Sequence, residues 1–89
     1  MTATLSSDVL QDDIAVAIAQ VIAAANKQAR ELDIDVLQSL ISLTQYPQND
    51  GWVWRVNYGA KDSIGQRGGD LMIDVNPDDA SIQKVLWGQ

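Results

Sequence analysis

Asp70 and Asp74 stand four residues apart in the stretch DLMIDVN, and paired carboxylates on one face can do general acid and base work. On an extended strand that spacing does put both on one face. The same face carries Met72 and Asn76 and reads as solvated, where water stabilises both charges and nothing poises either group to hold a proton near neutral pH. Nucleophilic chemistry fares no better. The chain contains no cysteine and no histidine, and its serines, Ser6, Ser7, Ser39, Ser42, Ser63 and Ser81, have only lysines as potential activating bases. The residues therefore read as non-enzymatic, with no catalytic group assigned.

Two acidic groups could hold a hard cation: Asp33 with Asp35, and Asp74 with Asn76, Asp78 and Asp79. The second has the outline of a calcium loop but breaks it at two positions. Asp79 stands where a glycine must make the sharp turn, and Val85 where a bidentate glutamate must close the shell. Turn formation accounts for Pro77, Asp78 and Asp79 instead, and no metal or other cofactor is expected. The loop GAKDSIGQRGG, with Gly65, Gly68 and Gly69 near Lys61 and Arg67, suggests a phosphate cradle. Such cradles feed a helix N-terminus, whereas a strand follows here. It reads as a long hairpin connection with Gly68 or Gly69 bulged or left-handed, and as an exposed recognition loop with Ile64 and Arg67 as contacts.

Twelve acids against six bases leave a net charge of −6 over 89 residues. Lys27, Arg30, Arg55, Lys61, Arg67 and Lys84 are scattered among aspartates, which disfavours nucleic acid and anionic membrane as partners and favours a basic protein surface. A chain this short makes a single domain, residues 1–89, with residues 1–6 expected to be loose. The absence of thiols suits a reducing compartment. The opening MTATLSSDVLQDD has no basic region of a signal peptide, and Gln20, Asn26 and Lys27 break the longest apolar run. A cytoplasmic location follows as the expectation.

The elements that must position these groups are legible from periodicity. From Asp8 to Leu32 apolar residues recur at steps of three and four through Ile14, Ile18, Val21, Ile22, Ala25, Ala29 and Leu32, predicting one long amphipathic helix. Ser7 or Asp8 is placed to cap it, with Asp8 and Gln11 at capping-box spacing. Val36–Ile41 fits either a helical extension or a strand, and a strand over Ser39–Tyr46 is favoured. PQNDG then turns the chain, with Asp50-Gly51 suited to a reversal. GWVWRVNYG alternates strictly, with Trp52, Trp54, Val56 and Tyr58 on one side and Val53, Arg55 and Asn57 on the other. In DLMIDVN, Leu71, Ile73 and Val75 face one way and Asp70, Met72, Asp74 and Asn76 the other. NPDDA turns into a last strand, SIQKVLW, whose inward face is either Ile82 with Leu86 or Val85 with Trp87. The expected fold is α+β: a long N-terminal helix on a four-stranded antiparallel meander, αββββ.

The aromatic strand could be a stacking platform for bases, but only Arg55 lies near the rings, on the opposite face. Packing of Trp54, Val56 and Tyr58 against Ala17, Ala25 and Ala29 of an alanine-rich helix is favoured, because small side chains leave room for large rings. Trp52 and Trp87, near element ends, are left as exposed anchors.

The second half, DGWVWRVNYG followed by GGDLMIDVNPDDASIQKVLWGQ, resembles the small immunity proteins with a nuclear-transport-factor-like, cystatin-like fold. Trp52 and Val53 match a W-V strand, Gly68 and Gly69 a double glycine, Ile73 the next strand, and Lys84, Val85, Leu86 and Gly88 the end. A similar outline occurs in PepSY domains, associated with peptidase inhibition or regulation, where Asp74 to Val85 is similar to the closing hairpin. The turn NPDDAS departs from both in lacking the usual glycine. The resemblance implies a non-enzymatic inhibitor of a basic toxin or enzyme, with Trp52, Trp87, Ile64, Arg67, Asp70 and Asp74 as partner contacts. The alternative is a regulatory module holding a small apolar ligand on a concave sheet face around Trp52, Trp54 and Tyr58. Exposed edge strands also admit a homodimer, through an edge or across the open face.

Overall fold

The computed structural model describes residues 6–48, 50–60 and 70–88. Its order is a short helix α1 (Ser7–Leu10), the main helix α2 (Asp13–Glu31), a 3-10 turn at Val36–Gln38, and strands β1 (Ser39–Gln48), β2 (Gly51–Ala60), β3 (Leu71–Val75) and β4 (Ile82–Trp87). The strands form one antiparallel sheet in the order β1-β2-β3-β4. This is the expected αββββ meander in an α+β fold. Of the residues 1–6 expected to be loose, 1–5 lie outside the described residues, as do the loop contacts Ile64 and Arg67.

The single long helix is corrected in one respect. Asp12 adopts extended geometry, and its side chain accepts a hydrogen bond from the Ala15 N–H at 2.9 Å. A carboxylate in that position satisfies an otherwise unpaired N–H and restarts the helix, so α1 and α2 are separate segments. The Asp8 and Gln11 capping box is displaced by Asp12. Ile14, first in the apolar stripe, is exposed along with Val9 and Val16, and burial begins deeper along α2.

At its C-terminus α2 stops in a Schellman arrangement. The Ile34 N–H donates to the Ala29 carbonyl at 3.0 Å and the Asp33 N–H to the Arg30 carbonyl at 3.1 Å, with Asp33 left-handed at φ 66°. Ile34 thereby folds back against the core. Val36 follows it inward, which resolves the ambiguous stretch as one 3-10 turn and then a strand. β1 runs two residues beyond the expected Tyr46, because Pro47 lies on an edge strand where a missing N–H costs little.

Helix α2 lies over β3 and reaches β2 and β4. Val21, Ala25 and Ala29 meet Trp54, Val56, Tyr58, Leu71, Ile73 and Val75, while Ile18 and Ile22 pack at the margin. The alanines let the helix approach closely enough for the rings to fill the layer between. Ala17, expected to join them, is only half-buried. The Tyr58 hydroxyl donates to Asn26 Oδ1 at 2.7 Å, giving the buried phenol a polar partner.

In the last strand both proposed inward faces are half right. A bulge at Asp74/Val75 sets Val75 opposite Ile82 but Asp74 opposite Lys84, so alternation slips by one residue at Gln83. Ile82 and Val85 therefore both pack on the core. The turn before β4 is held by polar bonds: the Asp78 N–H donates to Asn76 Oδ1 at 2.7 Å, and the Ser81 hydroxyl and N–H donate to Asp79 Oδ1 at 2.7 and 3.0 Å. Those donors hold the Asp79 carboxyl below its ordinary pKa, the Ser81 hydroxyl contributing most. Ala80 is left-handed at φ 58°, a conformation that glycine adopts more readily.

Two outcomes are expected. Ala80→Gly removes a left-handed Cβ and should stabilise the fold by about 1 kcal/mol, read as a higher urea midpoint with unchanged slope. Burial, opposed by nearby Arg30, raises the Tyr58 phenol from 10.0 to about 12. Because the folded value lies above the unfolded one, the contribution is complete below about pH 10 and lost as pH rises towards about 12. Denaturant midpoints measured across that window should fall more steeply for the native protein than for Tyr58→Phe.

Candidate functional site

Since α2 covers one face of the sheet, the other is left without a second layer among the described residues. Its middle is closed by an ion pair. Arg55 on β2 and Asp74 on β3 are direct cross-strand neighbours. Arg55 Nε donates to Asp74 Oδ1 at 2.7 Å and Nη2 to Oδ2 at 3.0 Å, a bidentate pairing. The Asp74 side chain is 0% exposed and that of Arg55 only 19%. Tyr46 of β1 stacks on the guanidinium, whose carbon lies 3.7 Å from the ring centroid. Bonding to Asp74 raises the Arg55 pKa further, so the cation persists at every working pH.

This arrangement corrects the expectation that Asp74 is a solvated carboxylate offered to a partner. Burial removes it from any partner's reach, and Arg55 occupies both of its oxygens. Asp70 does remain exposed. It accepts from Asn57 Nδ2 at 3.3 Å, its carbonyl accepts from the Gly88 N–H at 2.6 Å, and its carboxylate lies over Gly59. A Cβ at Gly59 would stand 3.2 Å from Asp70 Oδ1, so the glycine makes room for that carboxylate. Asp70 and Asp74 share a face, as their spacing required, but have different neighbours and separate roles.

The two tryptophans are both exposed, Trp52 at 39% and Trp87 at 54%. They do not form one patch. Trp87 pairs with Leu71, in the same rung as Tyr58, six residues along β2 from Trp52. That offset is about 20 Å along a strand. Trp87 shares its end of the sheet with Asp70, and Trp52 belongs to the hairpin tip at the other.

The tip arises from unequal strand lengths. β1 and β2 pair from Ser39↔Ala60 to Gln48↔Gly51, while β3 reaches only as far as Trp54↔Val75. The hairpin therefore projects past the rest of the sheet. Gly51, at φ 154°, begins β2 in a conformation that side chains avoid. Between the projecting hairpin and the turn after β3 lies a cleft of about 840 Å³ on the open face. Tyr46, Val53 and Arg55 line one side, Pro77 and Lys84 the other, and Asp50 and Asp78 also border it. Val53 is buried although it faces away from the helix. Trp52 borders this cleft and, with Gln45 and Pro47, a smaller depression of about 210 Å³. Its ring meets Trp54 edge-on, centroids 4.9 Å apart at 82°, which holds it on the helix-side face of the tip.

Trp54 and Tyr58 are buried beneath α2, so the apolar pocket expected around them is already filled by the helix. Among the described residues no group of three potential ligands is placed to hold a metal. No helix among them is long and apolar enough to cross a membrane. No family model, curated protein or solved structure matches the chain.

Breaking the ion pair by Asp74→Asn or Arg55→Met should cost about 3 kcal/mol or more, because the remaining partner keeps its desolvation penalty. Replacing both at once with leucine should recover most of that loss. Urea unfolding of the four proteins checks both statements.

Proposed function

We propose that this protein is a non-enzymatic interaction module that inhibits or neutralises a basic protein in the cytoplasm, in the manner of an immunity protein. The observation that carries the reading is Trp52, 39% exposed and held by Trp54 at the hairpin tip, next to the cleft. An aromatic anchor already held in place loses little freedom on binding, and tryptophan is enriched among residues that dominate interface energies. Asp50 and Asp78 at the cleft margin, within a chain of net charge −6, complement a cationic partner. Trp87 and Asp70 at the far end form a second contact region if the partner is large.

Affinity capture with the intact protein, followed by titration of the captured partner, tests this. The partner should be basic, and its affinity should fall as ionic strength rises from about 50 to about 300 mM. Trp52→Ala should weaken binding at least about tenfold while leaving the fold intact by circular dichroism. A neutral or acidic partner, or undiminished affinity in Trp52→Ala, overturns the reading.

A further inference from the structure

The sheet has two edges, and among the described residues only one of them is protected. β4 is short, contains Lys84, and is distorted by the bulge at Asp74/Val75, all devices that discourage further pairing. β1 spans Ser39–Gln48 and reads SLISLTQYPQ, without a single charged residue and with proline only near its end. It bears apolar side chains in solvent on both faces: Ile41 on the helix side, Leu40 at 51% and Tyr46 at 42% exposure on the open side. Helix α2, seated over β3, leaves these uncovered.

We infer that β1 is the interface of a homodimer, in which the β1 strands of two copies pair antiparallel about a two-fold axis at Leu43 and join both sheets into one. The choice of a second copy follows from charge. Two chains of −6 repel, and β1 is the longest strand edge they can bring together without opposing like charges. A basic partner would find no carboxylate there to recognise. The register follows from side-chain pairing. A two-fold axis perpendicular to the sheet keeps each face matched only if paired positions share parity. An axis at Leu43 sets Leu40 opposite Tyr46 of the second copy, twice, and Leu43 opposite its own equivalent. Ser42 then faces Thr44 of the second copy. No charged residue falls within the paired span Ser39–Gln48. The main-chain groups of β1 directed away from β2 gain partners, with Pro47 lacking a donor only at the margin.

This inference goes beyond the proposed partner binding and does not depend on it. Sedimentation of the intact protein from about 5 to about 500 µM should show the mass doubling, as a small interface of this kind gives micromolar affinity. Ser42→Lys/Thr44→Lys opposes like charges in both Ser42–Thr44 pairs and should weaken the dimer at least about tenfold. Ser42→Lys/Thr44→Glu opposes unlike charges at the same positions and should preserve it within about threefold. As a measurement independent of those variants, a nitroxide on Ser42→Cys, in a chain with no other cysteine, should show strong spin–spin broadening at high concentration. Ser42 and its equivalent would be diagonal neighbours, about 8 Å apart. A mass that stays monomeric at about 500 µM, a Lys/Lys variant that dimerises as well as the native chain, or an unbroadened label overturns the inference.

Discussion

One helix can cover only one face of a four-stranded sheet, and the structure depends on how the other face is closed. No second apolar layer lies over it among the described residues, so leucine and valine spread across the open face would be presented to water. The Arg55–Asp74 pair solves this at the centre of the sheet, joining β2 to β3 by side chains where their backbones are already paired. Tyr46 then ties β1 to the same group by stacking. Three strands are thus linked by one polar column, and the long hairpin is anchored at its base before it projects.

On the covered face the controlling feature is size. Ala25 and Ala29 bring the helix axis near the sheet, and the tyrosine and tryptophan of β2 fill the space that larger helical residues would otherwise have needed. Because α2 is centred on β3, the outer strand β1 receives little cover. The same placement buries Trp54 and leaves Trp52 in solvent two residues further along. With α2 centred on β3, exposed surface is therefore concentrated at the hairpin and its edge. The aromatic anchor and the uncharged strand are both consequences of that one geometrical shortage.

Backbone conformation places the remaining strain at element ends. Asp33 and Ala80 take left-handed angles at the helix C-terminus and at the β3–β4 turn. In each place the cost is offset by local hydrogen bonds, from Ile34 and Asp33 to the helix carbonyls and from Ser81 to Asp79. The second of these helps the turn close with alanine, rather than glycine, in the left-handed position. Asp79, which fails as a calcium-loop residue, is a turn residue whose carboxylate is already engaged.

Local pattern by itself determined the element types, the strand alternation, the burial of Trp54 and Tyr58 under small helical residues, and the αββββ order, because these depend on periods of two and 3.6 and on nearby turn residues. It also determined that Asp70 and Asp74 share a face. The helix break at Asp12 was legible in principle, since a capping aspartate three residues before Ala15 is a local signal that competed with a longer periodic run. Only tertiary structure decided that Asp74 is buried. Its partner Arg55 lies nineteen residues away, across a connection whose length leaves the register open, and a single step of register would have placed a different side chain opposite it. Tyr46 over Arg55, the bulge that brings both Ile82 and Val85 inward, and the overhang that exposes Trp52 have the same origin. Each depends on which residues of different strands become neighbours, and that is set by pairing across the whole sheet rather than by any one segment.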